Sequence, residues 1–338
     1  MSPDERTVLL GIETSCDETA AALVRGGRDV LSSVVSTQVD LHAQYGGVVP
    51  EVASRAHLEL LNPVTARAIV EAGVPDGGIG AVACTIGPGL IGALLVGVSA
   101  AKALALTWDV PFVGVNHHEA HLYAALLEDP ELTFPLVALI VSGGHTMLVE
   151  MRDHGRYRLL GQTIDDAAGE AFDKVARYLD LGYPGGPAID AAAVHGDPEA
   201  IRFPRAMLND GLDVSFSGLK TAVVNHVRKH PDVSAEDVAA SFQAAVVDVL
   251  VHKSRRAAES VGATAMVLGG GVAANSLLRA RFAAAAAEDG RRVLVPSRAM
   301  CTDNAAMIAA AGWYRLRSDG PTPLDAGAVP ALRLGFEP

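Results

Sequence analysis

His117 and His121 stand four residues apart in Asn116-His117-His118-Glu119-Ala120-His121. On a helix this spacing stacks two imidazoles on one face, within reach of a single metal ion. A zinc-protease helix places its glutamate directly after the first histidine, and the inverted form places it directly before the second. Glu119 does neither: at about 100° per residue it points roughly 200° away from His117. Pairing His118 with His121 instead leaves an i, i+3 spacing that fits no protease motif. The pattern therefore favours metal binding without peptide hydrolysis. Two histidines at this spacing also occur as ordinary polar or core residues of a helix, so the pair needs a third ligand.

Asp303, in Cys301-Thr302-Asp303-Asn304, is a candidate. Thr302 or Asp303 suits the N-cap of the closing helix. A carboxylate at such a junction equally suits a metal already held by two histidines, and a nitrogen-nitrogen-oxygen set fits iron or zinc with positions left open. Four glycine turns border apolar strands: Gly87-Pro88-Gly89, Ser142-Gly143-Gly144, Gly185-Gly186 and Gly269-Gly270-Gly271. None is a Walker loop or a dinucleotide fingerprint. Together they supply what a nucleotide cleft needs where strands end against helix N-termini. Asp166, Glu170 and Asp173 fall at i, i+4 and i+7 in Asp165 to Lys174, forming either a solvated helix face or, with Asp190, acceptors for ribose hydroxyls.

Positioning these residues takes a repeated scaffold. The chain opens as strand, turn, strand: Val8 to Glu13, Thr14 to Glu18, Thr19 to Val24. The pattern returns as Leu136 to Val141, Ser142 to His145, Thr146 to Glu150, which implies an internal duplication. Helices are predicted over Glu51 to Val70, Ile91 to Leu106, Asp165 to Leu179, Val238 to Val261, Ala274 to Ala287 and Asp303 to Leu316, with strands at Ala81 to Ile86, Thr264 to Leu268 and Arg292 to Pro296. The last twenty residues read as a surface tail.

Composition sets the bounds. A chain of 338 residues predicts two domains or one bilobal body. Three cysteines and no signal peptide at the start predict a reducing cytoplasm. The net charge of −12 argues against a broad nucleic-acid grip, so an RNA contact is local or shared. Gly77 to Ala101 carries no charge and is long enough to span a bilayer at about 20 residues. Its central Gly-Pro-Gly instead predicts a strand, a turn and a helix, and no membrane segment.

The chain resembles one family closely. Gly11 to Thr19, Asn116 to His121, Val141 to His145, Asp165 to Lys174, Ser215 to Thr221, Gly269 to Asn275 and Cys301 to Asn304 follow in order the motifs of the tRNA N6-adenosine threonylcarbamoyltransferases, once described as O-sialoglycoprotein endopeptidases. The match runs from about Leu9 to Gly312. The resemblance implies an α/β, two-lobed, actin-like and sugar-kinase-like (ASKHA) fold, with duplicated mixed-sheet lobes around a nucleotide cleft. Expected boundaries are residues 1–133 with 304–330 for one lobe, 134–303 for the other, and 331–338 for the tail. It implies transfer of a threonylcarbamoyl group from threonylcarbamoyl-adenylate to N6 of the adenosine next to the anticodon, in tRNAs reading codons that begin with A.

Carried over by position, His117, His121 and Asp303 match the family's ligands for one divalent metal, Fe(2+) with Zn(2+) as the alternative. Ile140, Val141, Ser142, Gly143, Gly144, Asp173, Gly186, Asp190 and Asn275 match its nucleotide-substrate contacts. The implied partners are tRNA, a smaller actin-like paralogue without the metal site, and a P-loop ATPase. No general base emerges, although His118 and His145 flank the expected site. The rival readings are a small-molecule kinase of the same fold and a metalloprotease.

Overall fold

The computed structural model describes residues 2–129 and 131–335; positions 336–338 of the expected tail lie outside the described residues. These residues form two compact units, Met1–Glu131 with Thr302–Gly335, and Leu132–Cys301. The first begins with β1 (Val8–Glu13), β2 (Glu18–Arg25), β3 (Asp29–Thr37), α1 (Val39–Ala43) and α2 (Pro50–Ala72). It continues with β4 (Ile79–Gly87), α3 (Ile91–Trp108), β5 (Phe112–Asn116) and α4 (His117–Glu128). The second holds β6 (Leu136–Val141), β7 (Thr146–Asp153), β8 (Arg156–Gln162), α5 (Ala168–Tyr178), α6 (Gly185–Ala193) and α7 (Ser217–Lys229). After these come α8 (Ala235–Val261), β9 (Ala265–Gly269), a 3-10 turn (Gly271–Ala274), α9 (Ser276–Glu288), β10 (Arg292–Leu294) and α10 (Arg298–Cys301). The chain then returns to the first unit as α11 (Ala305–Ser318).

The duplication is visible in the sheets. One has the order β3-β2-β1-β4-β5 and the other β8-β7-β6-β9-β10. In each, an antiparallel meander of three strands is extended by two strands parallel to the first.

The period of two along β1 divides its side chains between two layers. Val8, Leu10 and Ile12 join a core with Leu61, Val64 and Ala68 of α2 and Val98, Ala101 and Ala105 of α3. Each such fully buried aliphatic side chain stabilises the fold by about 1.5–3 kcal/mol. Leu9, Gly11 and Glu13 share the opposite face, where an added Cβ on Gly11 would strike α11. The uncharged segment resolves as expected into β4, the Gly-Pro-Gly turn and α3. By length and composition α3 could cross a membrane, yet Ala93, Leu94, Val98, Ala101 and Ala105 are buried inside this unit.

The described part of the C-terminal segment lies mostly at the surface, as expected, and is tied down there: Val329 N–H donates to the Ile86 carbonyl at 2.7 Å, Thr322 N–H to the Phe112 carbonyl at 2.8 Å, and Leu334 is buried. The segment satisfies backbone groups of β4 and β5. The helix predicted from Asp165 starts only at Ala168, so Asp166 does not share a helix face with Glu170 and Asp173. Asp166 is instead clamped by Lys174 at 3.0 Å and Lys220 at 2.8 Å.

Asp165 accepts bonds from Ser215 Oγ (2.5 Å), Ser217 Oγ (2.6 Å) and the Phe216 N–H (2.9 Å), serving the exposed amides at the start of α7. A burial penalty raises its pKa, but these bonds outweigh it and hold it down to about 2. Asp165→Ala is expected to lower stability in urea by about 1 kcal/mol, the usual worth of such a cap on an exposed, screened group. Because the folded pKa is depressed, that gap should be full above about pH 4 and close as the pH falls towards 2.

Candidate metal centre and nucleotide-facing turns

Asn116 ends β5 and caps α4: its Oδ1 accepts from the His118 N–H at 2.9 Å and the Glu119 N–H at 3.3 Å. His117 is thereby fixed in the first turn and His121 one turn on. Asn304 caps α11 in the same way, accepting from the Met307 N–H at 3.0 Å. The N-cap is therefore neither Thr302 nor Asp303, and Asp303 turns to the histidines. Its Oδ1 lies 3.4 Å from His117 Nε2 and 3.4 Å from His121 Nε2, and one donor atom from each of the three residues falls within 4.8 Å of the others.

Donors held about 2.1 Å from a tetrahedral divalent ion stand about 3.4 Å apart, so the set fits a metal. His121 supplies the sharper test. It is 1% exposed, and neither ring nitrogen makes a hydrogen bond of good geometry among the described residues. An unsatisfied buried polar atom costs about 1–3 kcal/mol, a cost that a cation at Nε2 would remove.

The surrounding charge is negative. Burial raises the Asp303 pKa, but His117 and His121 outweigh it and keep the carboxyl well below the usual range. Burial lowers the His117 pKa, but the carboxylates of Asp303 and Glu13 outweigh that and raise it well above the usual imidazole value. Glu18, half-buried and facing the charges of Asp303 and Asp17, is pushed up to about 9 by desolvation and those charges. Burial and the carboxylates of Asp17 and Asp303 push the Cys16 thiol far up. Glu119 is 3.0 Å from Arg315 Nη1 in a pair tying α4 to α11, away from a peptidase base's position. His118 is buried but not part of the donor set.

Several contributors escaped the sequence reading. Glu13 Oε2 is 3.0 Å from His117 Nδ1, and Thr85 Oγ1 donates to the same oxygen at 2.6 Å. A glutamate closing an otherwise apolar strand was the available signal.

The second unit gathers its expected residues at the C-terminal ends of the parallel strands β6 and β9, where ligands of open α/β sheets bind. Ile140 and Val141 are buried in β6. Ser142 N–H donates to the His145 carbonyl at 2.8 Å, closing the turn on which Gly143 and Gly144 have open space. Asp173, raised in pKa by burial, accepts from the Gly185 N–H at 2.8 Å, next to Gly186 in the first turn of α6. Asp190 accepts from the Ser276 N–H (3.1 Å) and Oγ (2.7 Å). Asn275 is buried and caps α9 through the Leu278 N–H at 2.9 Å, while its Nδ2 donates to Gln243 Oε1 at 2.7 Å. Gly270 has φ +87° and passes so close to the Val141 carbonyl that a Cβ would lie 2.5 Å from it. Three of the four glycine turns thus belong to one strand-end cluster. Gly87-Pro88-Gly89 belongs to the other unit, where the 329–332 segment covers it.

The arrangement can take an anion on helix N-terminal amides. The two carboxylates keep acceptor capacity for hydroxyls.

Comparison with known proteins places the chain in a family. The family model for tRNA N6-adenosine threonylcarbamoyltransferase matches residues 29–310. A relative of that name from Symbiobacterium thermophilum is 57% identical, over 97% of this chain and 97% of its own. Another from Clostridioides difficile is 51% identical, over 97% and 98%. Among solved structures, HypF of T. kodakarensis aligns with a TM-score of 0.65 at 15% identity, over 93% of this chain and 48% of its own. (R)-2-hydroxyglutaryl-CoA dehydratase component A of Acidaminococcus fermentans aligns with a TM-score of 0.55 at 13% identity, over 91% and 98%. At such identities only the fold is shared, and it is the two-lobed, actin-like and sugar-kinase-like α/β class. Identity above one half along nearly the whole length is a far stronger tie, and by it the chain belongs to the tRNA N6-adenosine threonylcarbamoyltransferase family.

Proposed function

We propose that the chain transfers the threonylcarbamoyl group of threonylcarbamoyl-adenylate to N6 of the adenosine next to the anticodon, in tRNAs reading codons that begin with A. It does so with one divalent metal, iron(II) in preference to zinc(II), on His117, His121 and Asp303. The observation that carries the metal assignment is the convergence of three donors around His121, whose ring nitrogens are otherwise unsatisfied among the described residues. When bound, the metal supplies Lewis acidity and a template for the acyl group.

The chain's own groups account for the rest. Amides of the Ser142-Gly143-Gly144 turn and of the α6 N-terminus at Gly186 offset the phosphate charge. Asp173 and Asp190 accept from ribose hydroxyls, and Ile140, Val141 and Asn275 shape the wall behind the adenosine. In the reaction the N6 lone pair attacks the carbamoyl carbon, the bond from that carbon to the phosphate oxygen breaks, AMP leaves, and N6 loses a proton. Holding a weak nucleophile in line is the main demand.

The charge of −12 supports shared tRNA binding, with a smaller actin-like paralogue and a P-loop ATPase as companions. Three cysteines, which cannot pair completely, suit the cytoplasm.

The test supplies threonylcarbamoyl-adenylate labelled in its threonine, tRNA and the partner subunits. Label should reach tRNA with the unaltered chain and fall to background with His117→Ala. No transfer by the unaltered chain beside competent partners would sink the proposal.

A further inference from the structure

The Glu13 carboxylate is fully buried at the end of β1 and is held at both oxygens. Oε1 accepts from the Ser15 N–H at 2.5 Å, and Oε2 accepts from Thr85 Oγ1 at 2.6 Å. Oε2 also lies 3.0 Å from His117 Nδ1, while the other ring nitrogen of His117 points at Asp303. We infer that Glu13 is a positioning residue for the metal ligand His117: it fixes the ring's rotation and keeps the proton on Nδ1, leaving the Nε2 lone pair for the ion. The inference rests on the metal reading above.

The alternative partner for Nδ1 is Ser15 Oγ, at 3.2 Å. Were Ser15 to donate to Nδ1, that nitrogen would turn a lone pair on a carboxylate oxygen 3.0 Å away, an arrangement of two acceptors. An ionised carboxylate only accepts, so it selects the Nδ1–H tautomer. A charge-assisted bond to an ionised acceptor is also stronger than one to a hydroxyl. Thr85 and the Ser15 amide add no charge, but they pin the carboxylate so that it can orient the ring. β1, β4 and the first hairpin turn thereby steer a ligand borne on α4. Loss of such an outer partner of a metal-bound histidine typically weakens the metal about 10–100-fold.

The test loads the full chain with Co(II), whose visible absorption reports its coordination, and measures affinity by chelator competition. Glu13→Gln keeps the volume and removes the charge. It should weaken Co(II) about 10–100-fold and change the visible bands. Thr85→Val keeps Glu13 but frees one of its bonds and should weaken Co(II) several-fold, so it carries the test if Glu13→Gln does not fold. Failure of the unaltered chain to bind Co(II) would overturn the metal reading itself. Tight binding by the unaltered chain with the same affinity and bands in both variants would overturn only the role of Glu13.

Discussion

Replacing His121 by alanine is expected to cut bound metal to less than about a tenth of the wild-type content and to abolish threonylcarbamoyl transfer, while the metal-free chain stays folded. Only His117 and Asp303 would remain of the donor set, and these already form an ion pair 3.4 Å apart that a metal must break. Stability should move little, because two effects oppose each other. Removing the ring leaves a cavity on α4, but it also removes two buried nitrogens that have no hydrogen-bond partner among the described residues. The net change should stay within about 1 kcal/mol. The difference emerges on adding metal: at about 100 times the dissociation constant the wild type gains about 2.7 kcal/mol by mass action, and the variant gains nothing. Metal analysis after gel filtration and melting curves with and without metal would show this. Equal metal content in variant and wild type would remove His121 from the site.

The cluster of His117 and His121 was legible because its information is partly local: a spacing of four on a helix leaves few geometries for two imidazoles. Asp303 was less so, since an acid at a helix start is ordinarily a cap. Asn304 takes that duty one residue later, and only the structure shows which of the two neighbours does so. The duplicated hairpins gave the fold its clearest trace in the sequence, and the matching strand orders follow from them.

What the sequence hid depends on partners far along the chain. Asp165 and Asp166 read as the first turn of a helix until Ser215, Ser217 and Lys220, about fifty residues on, claim their carboxylates. Glu13 meets His117 across more than a hundred residues. The ties of the Pro- and Gly-rich C-terminal surface segment were not legible, because the carbonyls it satisfies on β4 and β5 belong to a sheet that no local pattern reveals.

Gly11→Ala is expected to be among the most damaging single-methyl changes in the first unit. Gly11 sits in the middle of β1, paired with Ala22 of β2 and Ala83 of β4, on the face that meets α11. A Cβ there would lie 2.2 Å from the Ala305 carbonyl oxygen, 2.8 Å from the Ala309 nitrogen and 3.0 Å from the Ala309 Cβ. Two of these are backbone atoms of a helix and cannot rotate aside. The strand cannot yield either, being hydrogen-bonded on both edges. Gly312, one turn beyond Ala309, makes the same close approach, since its Cβ would meet the Ala83 Cβ at 2.5 Å. Helix and sheet are therefore in contact at backbone distance along a full helical turn, and the methyl group must push α11 outward. Overpacking of this kind costs about 1–3 kcal/mol, and the rigid neighbours place it at the upper end. The melting temperature should fall by about 6 °C or more. Function should suffer too, because Ala305 opens the helix two residues after Asp303. A shift of about 1 Å is enough to spoil a site built on converging donors. Gly11→Ala should thus lose stability and metal affinity together, whereas His121→Ala loses metal affinity alone. Gly218→Ala is the control: in α7, with nothing within 4 Å of its added Cβ, it should be neutral or slightly stabilising. A Gly11→Ala chain that melts with the wild type and binds metal equally well would mean that α11 does not lie on β1 at this distance, and the placing of Asp303 would need another cause.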